Sequence, residues 1–408
     1  MASSQPGSWQ RAAGASGSAL AALLLLAAQP AAAFWNDRIE VFASETVTWD
    51  SNVFRISDRV DPQGVIGSGS RSDRILVHTL GATLDVPVSL QRFQAGYTWY
   101  ATRYDRFDQL DFNGHTARAD WLWSLTPRIT GDLGGSDSKA LANFATFTGA
   151  TRDLVTSREA HARANFALTP SWLLHAGVVG AERKHDDPAR RVNDVRSTTA
   201  ELRMSYVSAQ DNRIGVSVRR EEGKSPEETV VQGTLFDNGY RQNSLGVVGR
   251  YQASGNSRFD GRIDYVRREY DQFTERDYSG PTFRLSHNWT PTGKLTIVTT
   301  AMREIAPLDD IQTTFVLLTG VSVKPRWDVT DKIAVQGSVE YSRWEYQAGR
   351  TVGTDYSHRV RSGGISVAYR PLRTVLLQAG ILREVRTSTL ANADYEVNVA
   401  SLEARIGF

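Results

Sequence analysis

The sequence SLEARIGF, residues 401–408, alternates between apolar and polar or small side chains up to the last residue. Leu402, Ala404, Ile406 and Phe408 are apolar, and the residues between them are not. Successive side chains of a β-strand point to opposite faces, so a period of two predicts a strand with one apolar face. Chain termini are usually polar and frayed, so this apolar end indicates a strand that is paired within a sheet.

The same alternation recurs along the chain in segments of roughly ten residues. Clear examples of shared apolar faces are Phe93, Ala95, Tyr97, Trp99; Ala117, Ala119, Trp121, Trp123; Ala160, Ala162, Ala164, Phe166; and Leu245, Val247, Tyr251. No apolar run reaches the length of about 18 residues that a membrane helix requires, and amphipathic helical periodicity is scarce. The sequence therefore predicts an all-β protein.

Composition narrows the class of β protein. Apolar residues make up 40% of the 408 residues, cysteine is absent and the net charge is +2, while the mean hydropathy is −0.36. The small net charge gives no indication of nucleic-acid binding, and without cysteine the fold cannot depend on disulfides. A soluble sandwich would need a second sheet over every apolar face, whereas a closed membrane barrel turns these faces to lipid and the polar faces to a lumen.

The first 33 residues have the features of an export signal. Arg11 precedes an apolar core at residues 19–28, and three alanines at 31–33 follow Gln29-Pro30. A core of about ten residues is too short to span a bilayer as a helix, so we expect cleavage after Ala33. A monotopic anchor is the alternative. The expected domains are a signal peptide at 1–33 and an outer-membrane β-barrel at 34–408.

The connectors predict the strand number. Tight turns rich in Pro, Asn and Gly alternate with long charged loops, as short periplasmic turns and long extracellular loops do in outer-membrane barrels. The long loops are expected at 57–73, 134–157, 184–196 and 221–238. About eight tight turns predict a transmembrane antiparallel β-barrel of about 18 strands, with 16 as the alternative. Trp172, Trp289 and Trp327 lie close to tight turns and are expected in an interfacial aromatic girdle.

The polar strand faces carry the candidate functional residues. Ten side chains are expected to line the lumen: Arg118, Asp120, Glu159, Arg163, Glu201, Arg203, Arg250, Arg262, Asp264 and Arg284. Such a wall suits anions, because rings of arginine bias a pore towards them, and it also suits sugars. Cross-strand ion pairs that only stiffen the wall are the structural alternative.

No pattern of enzyme chemistry is evident. The seven histidines lack the spacing of a metal site, and no nucleophile, nucleotide or zinc-protease motif occurs. Glu159 and His161 on one strand face are the nearest approach to a catalytic pair, and a hydrogen-bond network in the lumen explains them better. We expect no catalytic residue, no metal and no cofactor.

Residues 49–55, WDSNVFR, follow the first strand. Together with the barrel layout and the terminal strand, they resemble the EpsL-like family of outer-membrane barrels that belong to exopolysaccharide operons. The resemblance implies export of an extracellular polysaccharide, with periplasmic export components as partners. On its own chemistry, the polar triplet Asp50-Ser51-Asn52 is a strand stop, or else a loop that contacts sugar or a cation.

The leading expectation is therefore a passive outer-membrane channel or accessory protein for polysaccharide export in a Gram-negative bacterium. The first alternative is a general diffusion porin for small polar or anionic solutes, and the second is a barrel enzyme. The expected partners are outer-membrane lipid, polysaccharide and the outer-membrane assembly machinery, with no nucleic acid. Phe408 is expected to be the signal that this machinery reads, and the last strand is expected to pair with the strand that begins near Arg38.

Overall fold

A computed structural model describes residues 38–146, 150–225, 229–231, 234–272, 274–307, 315–346 and 356–408. The expected signal peptide lies outside these ranges. The described chain is almost entirely β-structure, with one short helix, α1, at Pro62–Ile66. No helix among the described residues is long and apolar enough to cross a bilayer.

Twenty strands form in chain order, and most of them are 12 to 17 residues long. They are β1 Ile39–Asp50, β2 Asp73–Val88, β3 Gln91–Tyr104, β4 Phe112–Thr126, β5 Ile129–Leu141, β6 Leu154–Thr169, β7 Trp172–His185, β8 Val195–Val207, β9 Arg213–Lys224, β10 Thr229–Val231, β11 Thr234–Phe236, β12 Tyr240–Ser254, β13 Ser257–Tyr270, β14 Tyr278–Thr292, β15 Leu295–Pro307, β16 Phe315–Asp328, β17 Ile333–Tyr346, β18 Tyr356–Leu372, β19 Val375–Ser388 and β20 Tyr395–Gly407. Strands β10 and β11 form a separate small hairpin between β9 and β12.

The other strands form one closed antiparallel sheet of 18 strands, which confirms the predicted fold and strand number. Each strand pairs with its neighbours in sequence, β9 pairs with β12, and β20 pairs back with β1. The closing contact extends to the last residue, because the Phe408 amide donates to the Val41 carbonyl at 2.7 Å. A closed sheet leaves no unpaired edge in the membrane, which is the physical requirement for a spanning β-structure.

Short and long connectors alternate around the barrel, as the sequence predicts. Six turns have two residues, for example residues 127–128 and 255–256. They lie at the same end of the barrel as the start of β1 and the end of β20. We call this the turn end and the opposite end the loop end. In outer-membrane barrels the long loops are extracellular.

Two predicted loops are wrong in their bounds. The loop expected at 221–238 begins inside β9, which continues to Lys224, and it contains β10 and β11. Half of the loop expected at 134–157 is strand, since β5 continues to Leu141 and β6 begins at Leu154. The glycines and serines of β5 look like a loop in sequence, but β4 and β6 pair with it on both sides and supply its backbone hydrogen bonds. Gly134 and Gly135 are thus strand residues.

The outward face is apolar and ends in aromatic residues at the turn end. Trp172, Trp289 and Trp327 are 43%, 43% and 52% exposed there, in agreement with the expected girdle. Trp344, near the loop end of β17, belongs instead to the inward face, where its Nε1 donates to Ser342 Oγ at 3.0 Å.

Candidate functional site: the inward face of the barrel

The inward face is fixed by the alternation of each strand. On β8, for example, Leu202 is 55% exposed and points outward, so its neighbours Glu201 and Arg203 point inward. By the same rule, all ten predicted lumen residues lie on the inward face: Arg118, Asp120, Glu159, Arg163, Glu201, Arg203, Arg250, Arg262, Asp264 and Arg284.

Several of these side chains reach strands that are not their neighbours. Arg262 on β13 binds the Glu201 carboxylate on β8, with β12 and β9 lying between them. It also donates to Ser217 Oγ on β9 at 3.1 Å. Contacts that pass over two intervening strands are favoured on the concave side of a barrel, because side chains converge there and diverge outside.

Arg219 and Asp264 complete this group, which we call the β8–β13 network: Glu201, Ser217, Arg219, Arg262 and Asp264. The Arg219 guanidinium lies 3.4 Å from the Asp264 carboxylate across β12. Arg262 Nε is 3.6 Å from the same carboxylate. Asp264 therefore receives two guanidinium groups, which offset the cost of holding a 4% exposed carboxylate.

Small residues beneath the network make these long contacts possible. Gly246 of β12 pairs with Asp264 on one side and with Ser217 on the other. A Cβ at Gly246 would lie 1.9 Å from Asp264 Oδ1 and 2.6 Å from the Ile263 carbonyl oxygen. Glycine at this position therefore leaves the space through which Asp264 meets Arg219.

A second group, the β4–β6 network, consists of Asp120, Asp132, His161, Arg163 and Arg118. His161 Nε2 lies 3.0 Å from Asp132 and 3.4 Å from Asp120. Arg163 approaches Asp132 at 3.3 Å, and the Arg118 Nε donates to Asp120. Here too a glycine makes room, since Gly134 of β5 stands between Asp120 and His161 in the pairing.

These contacts bear on the expected Glu159 and His161 pair. His161 Nδ1 is 3.8 Å from Glu159, and the ring is surrounded by three carboxylates. The His161 side chain is only 9% exposed. This arrangement fits a structural hydrogen-bond network in the barrel wall. Among the described residues, no group of His and acidic side chains is arranged to hold a metal ion.

The remaining predicted residues make local contacts. Arg250 donates to Asp260 on the adjacent strand at 2.8 Å, and Arg284 donates to Glu304 on its neighbour at 2.7 Å. Arg203 lies opposite His175 in the β7–β8 pairing. The structure therefore distributes the ten predicted residues over two multi-strand networks and several separate cross-strand pairs.

A cavity of about 550 Å³ opens onto this wall, lined by residues of nine consecutive barrel strands from β5 to β15. Besides predicted residues, it is lined by Arg219, Glu221, Tyr240 and Arg268, which the sequence reasoning missed. The Arg268 guanidinium lies 4.0 Å above the Tyr240 ring and 3.7 Å from Glu221. All four lie at positions that alternate with the outward-facing residues of their strands. This alternation could have identified them from the sequence.

Loops cover part of the mouth at the loop end. Phe54, Phe107 and Phe144 come from the first three long loops and pack edge to face, with ring centroids 4.9 and 4.8 Å apart. The third loop, described at residues 142–146 and 150–153, also reaches the wall at β19 and β20. The inward-facing Arg386 of β19 donates to its Ala145 carbonyl at 2.6 Å, and Ala145 packs against Tyr395 and Val397 of β20.

The segment at 49–55 anchors the first of these loops. The Arg55 guanidinium pairs with Asp50 at 2.9 Å. The Asn52 amide nitrogen donates to the Ile56 carbonyl at 2.8 Å and to the Glu396 carbonyl at 3.2 Å. The polar triplet is thus a strand stop that ties the loop to β20, and its polarity has a structural explanation within this chain.

Comparisons with known proteins agree with this architecture. Residues 239–408 match the model of the family described as "Putative beta-barrel porin 2". No curated protein gives a significant match. Comparisons of sequence therefore support a porin-type barrel for the C-terminal part of the chain, and the EpsL-like family is not among their results.

Solved structures share the whole fold. OccK2 (OpdF) of Pseudomonas aeruginosa superposes with a TM-score of 0.51 and 9% identity, over 92% of this chain and 99% of that one. OccK1 (OpdK) of the same organism gives a TM-score of 0.50 and 8% identity, over 91% and 99% of the two chains. The chain thus has the fold of outer-membrane porins, and residues 239–408 match a porin family model.

Proposed function

We propose that this protein is a passive diffusion porin for small polar or anionic solutes in the outer membrane of a Gram-negative bacterium. The observation that carries the proposal is the charged inward wall. Its arginines and carboxylates are held by contacts that cross several strands, and they surround a cavity of about 550 Å³. A barrel of this strand number is too wide for side chains to fill, so its interior is aqueous.

The predicted lumen residues acquire a role in this proposal. Arg262 and Arg219 face a path that water and solutes share, and their guanidinium groups give anions and hydroxyl-rich solutes weak, exchangeable hydrogen bonds. Nearby carboxylates prevent any single arginine from trapping an anion. Alternating charges therefore favour passage over tight binding.

Polysaccharide export, which the resemblance at 49–55 implies, receives no support from the comparisons. The contacts of that segment within its own loop explain its sequence without a polymer. Residues 142–146 also lie over part of the mouth and are tied to β19 through Ala145, which favours small solutes over a long chain.

Swelling of liposomes that contain the purified barrel tests the proposal. We expect influx of monosaccharides and small organic anions, with rates that fall steeply as oligosaccharides lengthen. Absence of swelling with every solute would refute a diffusion pore. Uptake of long oligosaccharides at a rate equal to that of monosaccharides would favour polysaccharide export instead.

A further inference from the structure

The outward face carries a groove that the pore function does not use. It has a volume of about 1270 Å³ and lies near the loop end of β18, β19, β20, β1 and β2. Its apolar lining is formed by Trp49, Ile365, Ile381 and Ala400, and the first three are 44%, 50% and 63% exposed. These side chains lie on the lipid-facing surface, so the groove opens towards the membrane.

Gly363 opens the edge of this groove that β18 forms. A Cβ at this position would meet only the Ser338 carbonyl oxygen, at 3.9 Å. The strand has room for a side chain here and carries none. A ligand can therefore approach the backbone of β18 beside Ile365, at the position opposite Arg383.

Arginines surround the loop end of the groove. Arg74 and Arg383 line it and are paired with Asp105 at 2.6 Å and Glu396 at 2.8 Å. Arg106 also lines it, but its guanidinium is bound only to neutral groups, the Ser70 hydroxyl and the Ser72 carbonyl and hydroxyl. Its positive charge has no carboxylate partner within the described part of the chain.

Two more cations stand beside the groove on β18. Arg361 is two residues from Gly363 on the same face, about 7 Å along the strand, and Arg359 is the next outward residue. Both are exposed, and neither has a carboxylate partner in the described ranges, which omit 347–355. Arg359 is also paired directly opposite Arg343, so two like charges meet across the strands at a cost in stability.

Outward-facing arginines are confined to one end of the barrel. Every outward-facing arginine of the described strands lies in the loop-end half of its strand: Arg74, Arg103, Arg158, Arg196, Arg220, Arg241, Arg267, Arg303, Arg343, Arg359, Arg361 and Arg383. In an outer-membrane barrel this half faces the outer leaflet. Most of these arginines have acidic partners, whereas the arginines beside the groove outnumber the carboxylates that pair with them.

We propose that the groove binds a lipid of the outer leaflet with a phosphate-bearing headgroup. An acyl chain lies against Trp49, Ile365 and Ile381. Arg106 and Arg361 stand on opposite sides of the groove, five interstrand spacings of about 4.8 Å apart, so each binds a separate phosphate of the headgroup, for which the planar guanidinium is the best matched side chain. The groove supplies apolar contact below the headgroup level and unpaired positive charge at that level. This combination fits a phosphorylated amphiphile better than a second protein copy or a free anion.

Native mass spectrometry of the full chain in detergent tests this site with lipid A that carries both phosphates. We expect one lipid to be retained by the wild-type protein. The double variant Arg106→Gln/Arg361→Gln should weaken binding about tenfold or more, because it removes the charge-assisted hydrogen bonds from both guanidinium groups to phosphate. Gly363→Leu should abolish retention by filling the groove. Heat-modifiable electrophoretic mobility, which reports the folded barrel, should be unchanged in both variants.

Matched controls lie elsewhere on the outward face. Arg241→Gln/Arg267→Gln removes two arginines that have acidic partners, and Gly180→Leu adds a side chain where nothing lies within 4 Å. Neither should change retention. Equal retention of dephosphorylated lipid A, full displacement by inorganic phosphate, or equal binding by the groove variants would overturn the proposal. Appearance of a dimer in place of the lipid adduct would also overturn it.

Discussion

Arg262 of β13 binds Glu201 of β8 across two intervening strands. This contact exists because the barrel is curved and because Ser217, which lies between them, is small enough to accept a hydrogen bond from the same guanidinium. A pair of this kind couples four strands and places a guanidinium and a carboxylate on the proposed solute path. Its charge should therefore affect both the wall and the ion preference of the pore.

Replacement of Arg262 by Gln is expected to shift ion selectivity towards cations. The change removes one positive charge and leaves Glu201 and Asp264 with fewer partners, so the local potential becomes more negative. The reversal potential across a planar bilayer in a KCl gradient measures this shift. Arg267→Gln is the control, since Arg267 is on the same strand but faces outward and pairs with Glu269. Equal reversal potentials for both variants would show that Arg262 does not lie on the conduction path.

Replacement of Gly246 by Val is expected to destabilise the barrel wall. The added side chain would occupy the position of the Asp264 carboxylate and strain the β12–β13 pair, at a cost of about 1–3 kcal/mol as in other overpacked sites. Urea unfolding of the barrel in lipid vesicles measures the change. Gly249→Val is the control, because a Cβ there meets only the Arg213 carbonyl oxygen, at 3.5 Å. If the two variants are equally stable, the Gly246 space is not required.

Replacement of Phe54 by Ala is expected to loosen the loops at the mouth. Phe54 is 3% exposed and packs against both Phe107 and Phe144, so its loss should cost about 3–5 kcal/mol of local stability. Single-channel conductance should rise as the loop at 142–153 moves away from the path. Phe259→Ala, which removes an outward aromatic that is 44% exposed, should leave conductance unchanged. An unaltered conductance in Phe54→Ala would show that these loops do not narrow the pore.

Deletion of Phe408 is expected to impair insertion into the outer membrane and to leave export into the periplasm intact. Its amide closes the barrel onto Val41, and a terminal aromatic resembles the signal that the assembly machinery reads. Surface labelling and cell fractionation measure the outcome. Phe408→Tyr retains the ring and the backbone bonds and should assemble normally. Normal surface assembly of the truncated chain would refute this role.

The alternation of apolar and polar residues along each strand is the signal from which most of this structure could be predicted. Alternation at Leu402–Phe408 and its repeats predicted the strands, and the Pro and Gly turns predicted their number, because both signals are local. The β8–β13 network was missed in part, since the contact of Arg219 with Asp264 depends on closure of the sheet and on the absence of a side chain at Gly246. The bounds of β5 were wrong because its glycines and serines are stabilised by neighbouring strands.

The loop core was also beyond prediction. Phe54, Phe107 and Phe144 are 53 and 37 residues apart along the chain and belong to three separate loops. No periodicity connects them, and only the three-dimensional arrangement of adjacent strand ends brings them together.

Single-channel recording in planar bilayers across a range of KCl concentrations tests the central claim most directly. A water-filled diffusion pore predicts discrete conductance steps that rise in proportion to the bulk conductivity of the solution. A barrel that inserts and remains folded but gives no steps, at any salt concentration, would contradict the claim.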